Sequence, residues 1–141
     1  MDFNTDELLK KALMYKDVNH DLDLALKYAT LASVCTFSPR ADVCCTIGEI
    51  YLEKGNCTWA KFWYERAMNN MTCGIDEVLV DSEYWTTIPL LKLGFISHVM
   101  GNDEGALELF EAVLKIDPNN EIAKNNIKQI TPPKKEEKTD G

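Results

Sequence analysis

The sequence predicts an all-α protein, a superhelix of about three helical hairpins followed by a C-terminal capping helix. Three observations predict it. Glycines and small residues recur in two blocks with the same internal spacing. Each block carries apolar residues at helical intervals on both sides of a glycine-containing turn. A last amphipathic stretch, Glu121 to Ile130, sets Ile122, Ala123, Ile127 and Ile130 against Lys124, Asn125 and Lys128.

The first hairpin, about residues 6–37, has the weakest signature. Asp6 to Asp17 and Leu22 to Val34 carry helical rhythm, with Ala25, Ala29 and Ala32 as the small residues of a second helix facing Leu9, Ala12 and Leu13 of the first. Leu13 is read as replacing a glycine, which predicts a splayed hairpin. Ser38-Pro39-Arg40 then punctuates the chain. The second hairpin, about residues 41–70, is the clearest. A unit of roughly 34 residues begun at Ala41 puts Gly48, Tyr51, Gly55, Ala60, Tyr64 and Ala67 at its eighth, eleventh, fifteenth, twentieth, twenty-fourth and twenty-seventh positions. The third, about residues 82–117, repeats the pattern from Thr87 with Leu90, Leu93, Gly94, Gly101, Ala106, Phe110 and Pro118.

The physical sense of the pattern is close approach of two antiparallel helices, with Gly48 expected to face Ala60 and Gly94 to face Ala106. Gly55 and Gly101 fall between the helices, where a tight reversal needs a positive φ. The two blocks are separated by about a dozen residues more than one period, so residues 70–84 read as an insertion, and Ile75, Val78, Leu79 and Val80 predict that it packs back. The capping helix, about 120–130, covers the apolar flank of the last hairpin. Residues 131–141 are proline-led, charge-balanced and poor in apolar side chains, as in a disordered tail.

These positions resemble the tetratricopeptide repeat, a helical hairpin that stacks into a superhelix. In that family, positions two, five, nine and twelve of each inner helix point into a concave groove that holds a partner. On this chain the resemblance assigns those slots to Asp42, Cys45, Glu49 and Leu52, then to Ile88, Leu91, Phe95 and His98. One wall is acidic and the other apolar, which implies a basic and hydrophobic protein or peptide as the ligand unless the chain's own ends cover the groove. The stretch from Ser38-Pro39-Arg40 through Cys44-Cys45 and Gly48 to Ala60-Lys61-Phe62-Trp63-Tyr64-Glu65-Arg66-Ala67, with the later Trp85, Pro89, Leu90, Leu91 and Leu93, also resembles the helical repeats that follow the catalytic domain in some bacterial family 2 glycosyltransferases. That likeness implies an accessory module. The nucleotide-sugar domain of that family has no counterpart in this sequence, so no catalytic residue is assigned.

Composition narrows the function classes. Over 141 residues, 45% are hydrophobic and 27% charged, the balance of one folded domain. A net charge of -8 disfavours nucleic acid and anionic membrane as partners. No apolar run reaches the roughly 20 residues that span a bilayer, and the opening MDFNTDELLKK lacks the layout of a secretory signal, so the expectation is cytoplasmic. Five cysteines, Cys35, Cys44, Cys45, Cys57 and Cys73, form no C-x-x-C pair and read as reduced, buried, apolar residues.

Candidate chemistry is sparse. Asp17 to Asp23 alternates oxygen-bearing side chains as a calcium loop does, but Leu22 stands at the sharp-turn glycine and Tyr28 at the bidentate glutamate. Asp21 or Asp23 is therefore read as a helix cap. A small metal-dependent enzyme using His98 or the Asp21/Asp23 pair is the minor alternative; no cofactor is expected. Trp59 and Trp63 share a helical face, read as packing on the insertion or, alternatively, as the contact of a homodimer.

Overall fold

The computed structural model describes residues 4–35, 40–69 and 82–131. Among them all regular structure is helical: α1 (Thr5–Asp17), α2 (Leu22–Val34), α3 (Ala41–Glu53), α4 (Cys57–Asn69), a single 3-10 turn (Ser82–Trp85), α5 (Thr87–Val99), α6 (Asp103–Ile116) and α7 (Glu121–Ile130). The core of the expected insertion and all but the first residue of the expected tail lie outside the described residues, as do Ile75, Val78, Leu79, Val80 and Cys73.

The helices begin where side chains satisfy their free N–H groups. Asn4, Asp21, Asn56, Asn102 and Asn120 each accept a hydrogen bond from a backbone N–H in the first turn of the helix that follows. The reading of Asp21 as a cap is thus borne out: its carboxylate accepts from the Leu24 N–H at 3.1 Å. Asp23 instead pairs with Lys54 across the hairpin boundary. The α3–α4 and α5–α6 turns reverse through Gly55 at φ 79° and Gly101 at φ 86°. In the α1–α2 turn His20, at φ 53°, takes the left-handed conformation.

Consecutive helices pack as antiparallel pairs, α1 on α2, α3 on α4 and α5 on α6, and each pair stacks on the next. Three apolar clusters follow one another along the stack. Ala12, Ala25 and Ala29 join Val43, Ile47 and Ile50 in the first. Ala60, Tyr64 and Ala67 join Leu93 and Ile96 in the second. Leu90, Ala106, Phe110 and Val113 meet Ala123 of α7 in the third, so α7 covers the flank of the last hairpin.

The crossing points differ from the sequence reading. A methyl group added at Gly48 would lie 2.8 Å from the Tyr64 ring, and one at Gly94 would lie 2.7 Å from the Phe110 ring. The glycines therefore receive an aromatic ring from the facing helix, and the nearest neighbours of that missing side chain are not Ala60 and Ala106. In the first hairpin the corresponding residue is Ala12, not Leu13. Ala12, Gly48 and Gly94 stand equally far from the ends of α1, α3 and α5. Counted forward from the caps Asp21 and Asn56, the partner of Ala12 is Ala29 where Tyr64 partners Gly48. A small pair on a small pair replaces a ring on a glycine, with a turn one residue longer.

Candidate functional site

The inner helices α1, α3, α5 and α7 line two recesses on one side of the stack. The first, of about 270 Å³, is bounded by Leu9 and Leu13 of α1, Asp42, Cys45, Thr46 and Glu49 of α3, Ile88 and Lys92 of α5, and Tyr64 and Tyr84. The second, of about 250 Å³, is bounded by Leu52, Leu91, Lys92, Phe95, Ile122 and Asn126. Seven of the eight groove residues inferred from sequence therefore line a recess: Asp42, Cys45, Glu49 and Ile88 the first, Leu52, Leu91 and Phe95 the second. His98 lines neither. Its Nδ1 lies 2.6 Å from the Asp103 carboxylate at the α5–α6 turn.

The acidic wall is more structured than a row of free carboxylates. Arg40 donates through Nε and Nη2 to Asp42, at 3.1 and 2.7 Å, and through Nη1 to Asp6 at 2.7 Å. These bonds to Asp42 foremost, against the opposing effect of burial, hold the guanidinium well above its ordinary range. Lys16, only 6% exposed, reaches from α1 to Asp17 at 2.6 Å, Glu49 at 3.1 Å and Glu53 at 3.9 Å. Burial pulls its pKa down, but the hydrogen bonds to Asp17 and Glu49 outweigh it and leave the ammonium raised. The stabilisation this supplies is complete below the unfolded pKa of lysine and is lost as pH climbs through the folded value. Lys16 is buried and Arg40 half-buried, and Asp42 and Glu49 rather than these two cations line the recess, together with Lys92.

Cys45 is covered by the chain itself. Its thiol donates to the Tyr84 carbonyl at 3.1 Å, and burial foremost pushes its pKa far up, which disfavours the thiolate. Cys44 is also buried, Cys57 is half-buried, and Cys35 is exposed, contrary to the uniform burial expected. Among the described residues no three His, Cys, Asp or Glu side chains gather as a metal would require, and no helix is long and apolar enough to cross a membrane.

The two tryptophans part company. Trp63 packs into both the first and second clusters, with Arg66 over its ring at 5.4 Å. Trp59 is 51% exposed, lies against Tyr51 at 6.2 Å and meets Phe62 edge-on at 5.6 Å.

Among the residues at the recesses, sequence reasoning missed Leu9, Leu13 and Lys92 as well as Thr46, Tyr64, Tyr84, Ile122 and Asn126, and it missed Lys16 behind Glu49. Leu9, Leu13 and Lys16 follow from the frame of α1: once Ala12 takes the glycine slot, they fall where Cys45, Glu49 and Leu52 fall on α3. Lys92 sits on α5 between the two recesses and had no periodic signal to mark it.

No protein-family model and no curated protein matches the chain. Solved structures do. The Arabidopsis OM64 TPR domain matches with TM-score 0.71 at 19% identity, over 89% of this chain and 93% of that one. The first TPR of Spaghetti (RPAP3), bound to HSP90 peptide SRMEEVD, matches with TM-score 0.72 at 18% identity, over 89% of each chain. The second TPR domain of human RPAP3, in complex with HSP70 peptide SGPTIEEVD, matches with TM-score 0.68 at 16% identity, over 92% of this chain and 100% of that one. With its glycine-spaced hairpins and capping helix, the chain has the fold of a tetratricopeptide-repeat domain.

Proposed function

We propose that this chain is a non-catalytic scaffold that holds a segment of a partner protein along its inner face. The observation that carries the reading is the pair of recesses lined by residues of four inner helices, with Lys92 bordering both. Two proteins of the same fold are bound to short peptides, which supports the same use here. The ligand differs, however. Those peptides end in Glu-Glu-Val-Asp, whereas the first recess of this chain carries Asp42 and Glu49, with Glu53 beside Glu49 on Lys16. Like charges facing each other are unfavourable, so the matching segment is apolar with basic residues.

The test is selection of peptides displayed on phage against the full chain, followed by titration of a selected peptide. Phe95→Ala and Leu91→Ala should each weaken it roughly tenfold or more, since burying such a side chain is worth about 1.5–3 kcal/mol. Equal affinity for wild type and both variants would sink the assignment of the groove.

The resemblance of the sequence to repeats following bacterial family 2 glycosyltransferase domains supports an accessory C-terminal module of a glycosyltransferase, positioning the transferase, its acceptor or a partner subunit, and the setting proposed from the sequence is the cytoplasm. A second reading, self-association, is favoured by exposed Trp59 and Phe62. Trp59→Ala is the variant for it, because Trp63 is built into the core. A monomer at every concentration in sedimentation would end that reading.

A further inference from the structure

The side chain of Tyr64 is completely buried, yet its hydroxyl has no hydrogen-bond partner among the described residues. Such an orphan is uncommon, because an unsatisfied buried polar group is costly. Its position explains what it is for. Gly48 has no side chain, so the Tyr64 ring crosses the α3 backbone there, and Tyr64 becomes part of the wall of the first recess. Phe110 crosses Gly94 in the same way but has no hydroxyl. Only the hairpin with the acidic groove wall carries a polar atom at that point.

The surrounding charge says what should meet it. The recess wall itself holds the carboxylates of Asp42 and Glu49 and the ammonium of Lys92; behind it Glu49 shares Lys16 with Asp17 and Glu53, and Asp42 shares Arg40 with Asp6, so five carboxylates face three cations over the wall and its support. Leu9, Leu13 and Ile88 supply an apolar wall on the way in. A long aliphatic stem with a cationic tip fits this order of surfaces.

We infer that the first recess is a subsite for one lysine or arginine side chain of the bound segment, its stem against Leu9, Leu13 and Ile88 and its tip donating to Glu49 and to the Tyr64 hydroxyl. This rests on the reading of the inner face as a peptide groove.

The probe is a set of synthetic heptapeptides with mixed apolar flanks and one fixed central residue, lysine, arginine, norleucine or glutamate, measured against the full chain. Lysine and arginine sets should bind at least tenfold tighter than norleucine, and glutamate weakest. Tyr64→Phe, whose ring geometry Phe110 already exemplifies, should melt at a higher temperature because the orphan hydroxyl is gone, yet lose several-fold of the basic preference. Glu49→Gln should lose most of it. Binding that depends on Phe95 but is indifferent to the central residue would overturn the subsite and leave the groove intact; no binding by any set would overturn both. An unchanged preference in Tyr64→Phe and Glu49→Gln would equally refute it.

Discussion

Phe110→Ala is expected to lower the stability of the chain by about 3–5 kcal/mol, the range for emptying a buried aromatic site. Phe110 is 1% exposed, lies across the backbone of α5 at Gly94, and is the largest side chain in the cluster that joins α5 and α6 to α7. Removing it takes away the ring that lies nearest the space above the glycine. The other buried residues of the cluster, Leu90, Ala106, Val113 and Ala123, are held on three different helices, so the site has little freedom to collapse. Urea titration followed by circular dichroism should show the midpoint falling with little change in slope. A loss below 1 kcal/mol would mean that the ring does not occupy that crossing.

The second large effect comes from the reverse change, filling a crossing that is already full. Gly48→Leu should cost at least the 1–3 kcal/mol typical of overpacking, about as much in this chain as deleting a core methyl group several times over. Even the first carbon of the new side chain would stand 2.8 Å from the Tyr64 ring, which is itself completely buried and cannot swing aside. The first hairpin suggests how the chain tolerates a side chain at this point, since Ala12 is matched there by Ala29. Gly48→Ala combined with Tyr64→Ala should therefore be less destabilised than the two single variants added together, by roughly 1 kcal/mol or more of favourable coupling. Thermal or chemical denaturation of the four proteins gives the cycle, and strict additivity would contradict direct contact between the two positions.

The two regular hairpins were legible because their constraint is local and chemical. Positive φ at Gly55 and Gly101, caps at Asn56 and Asn102, and small residues on both helices leave a mark at fixed spacing that no other fold would need. The first hairpin was read one residue out of frame. Its turn carries His20 where the others carry glycine, and a small pair, Ala12 and Ala29, leaves a fainter trace than a ring on a glycine. No groove slot was assigned to that hairpin, and in the corrected frame Leu9 and Leu13 take such slots and line the first recess. Of the slots read on α3 and α5, seven lie at the two recesses, and His98 lies at the α5–α6 turn beside Asp103.

The sequence by itself determined the class of fold and the second and third hairpins, because helical period and turn chemistry act between residues close along the chain. What only the tertiary structure decided was electrostatic and steric matching between helices: that Lys16 of α1 reaches Glu49 and Glu53 of α3, that Tyr84 covers Cys45, that Trp63 is inside while Trp59 is outside, and that the ring crossing Gly48 brings Tyr64 to the wall of a recess. Each of these depends on how far one helix is rotated and shifted against another. Side-chain volumes summed over the whole contact set that rotation, and no short stretch of sequence records it.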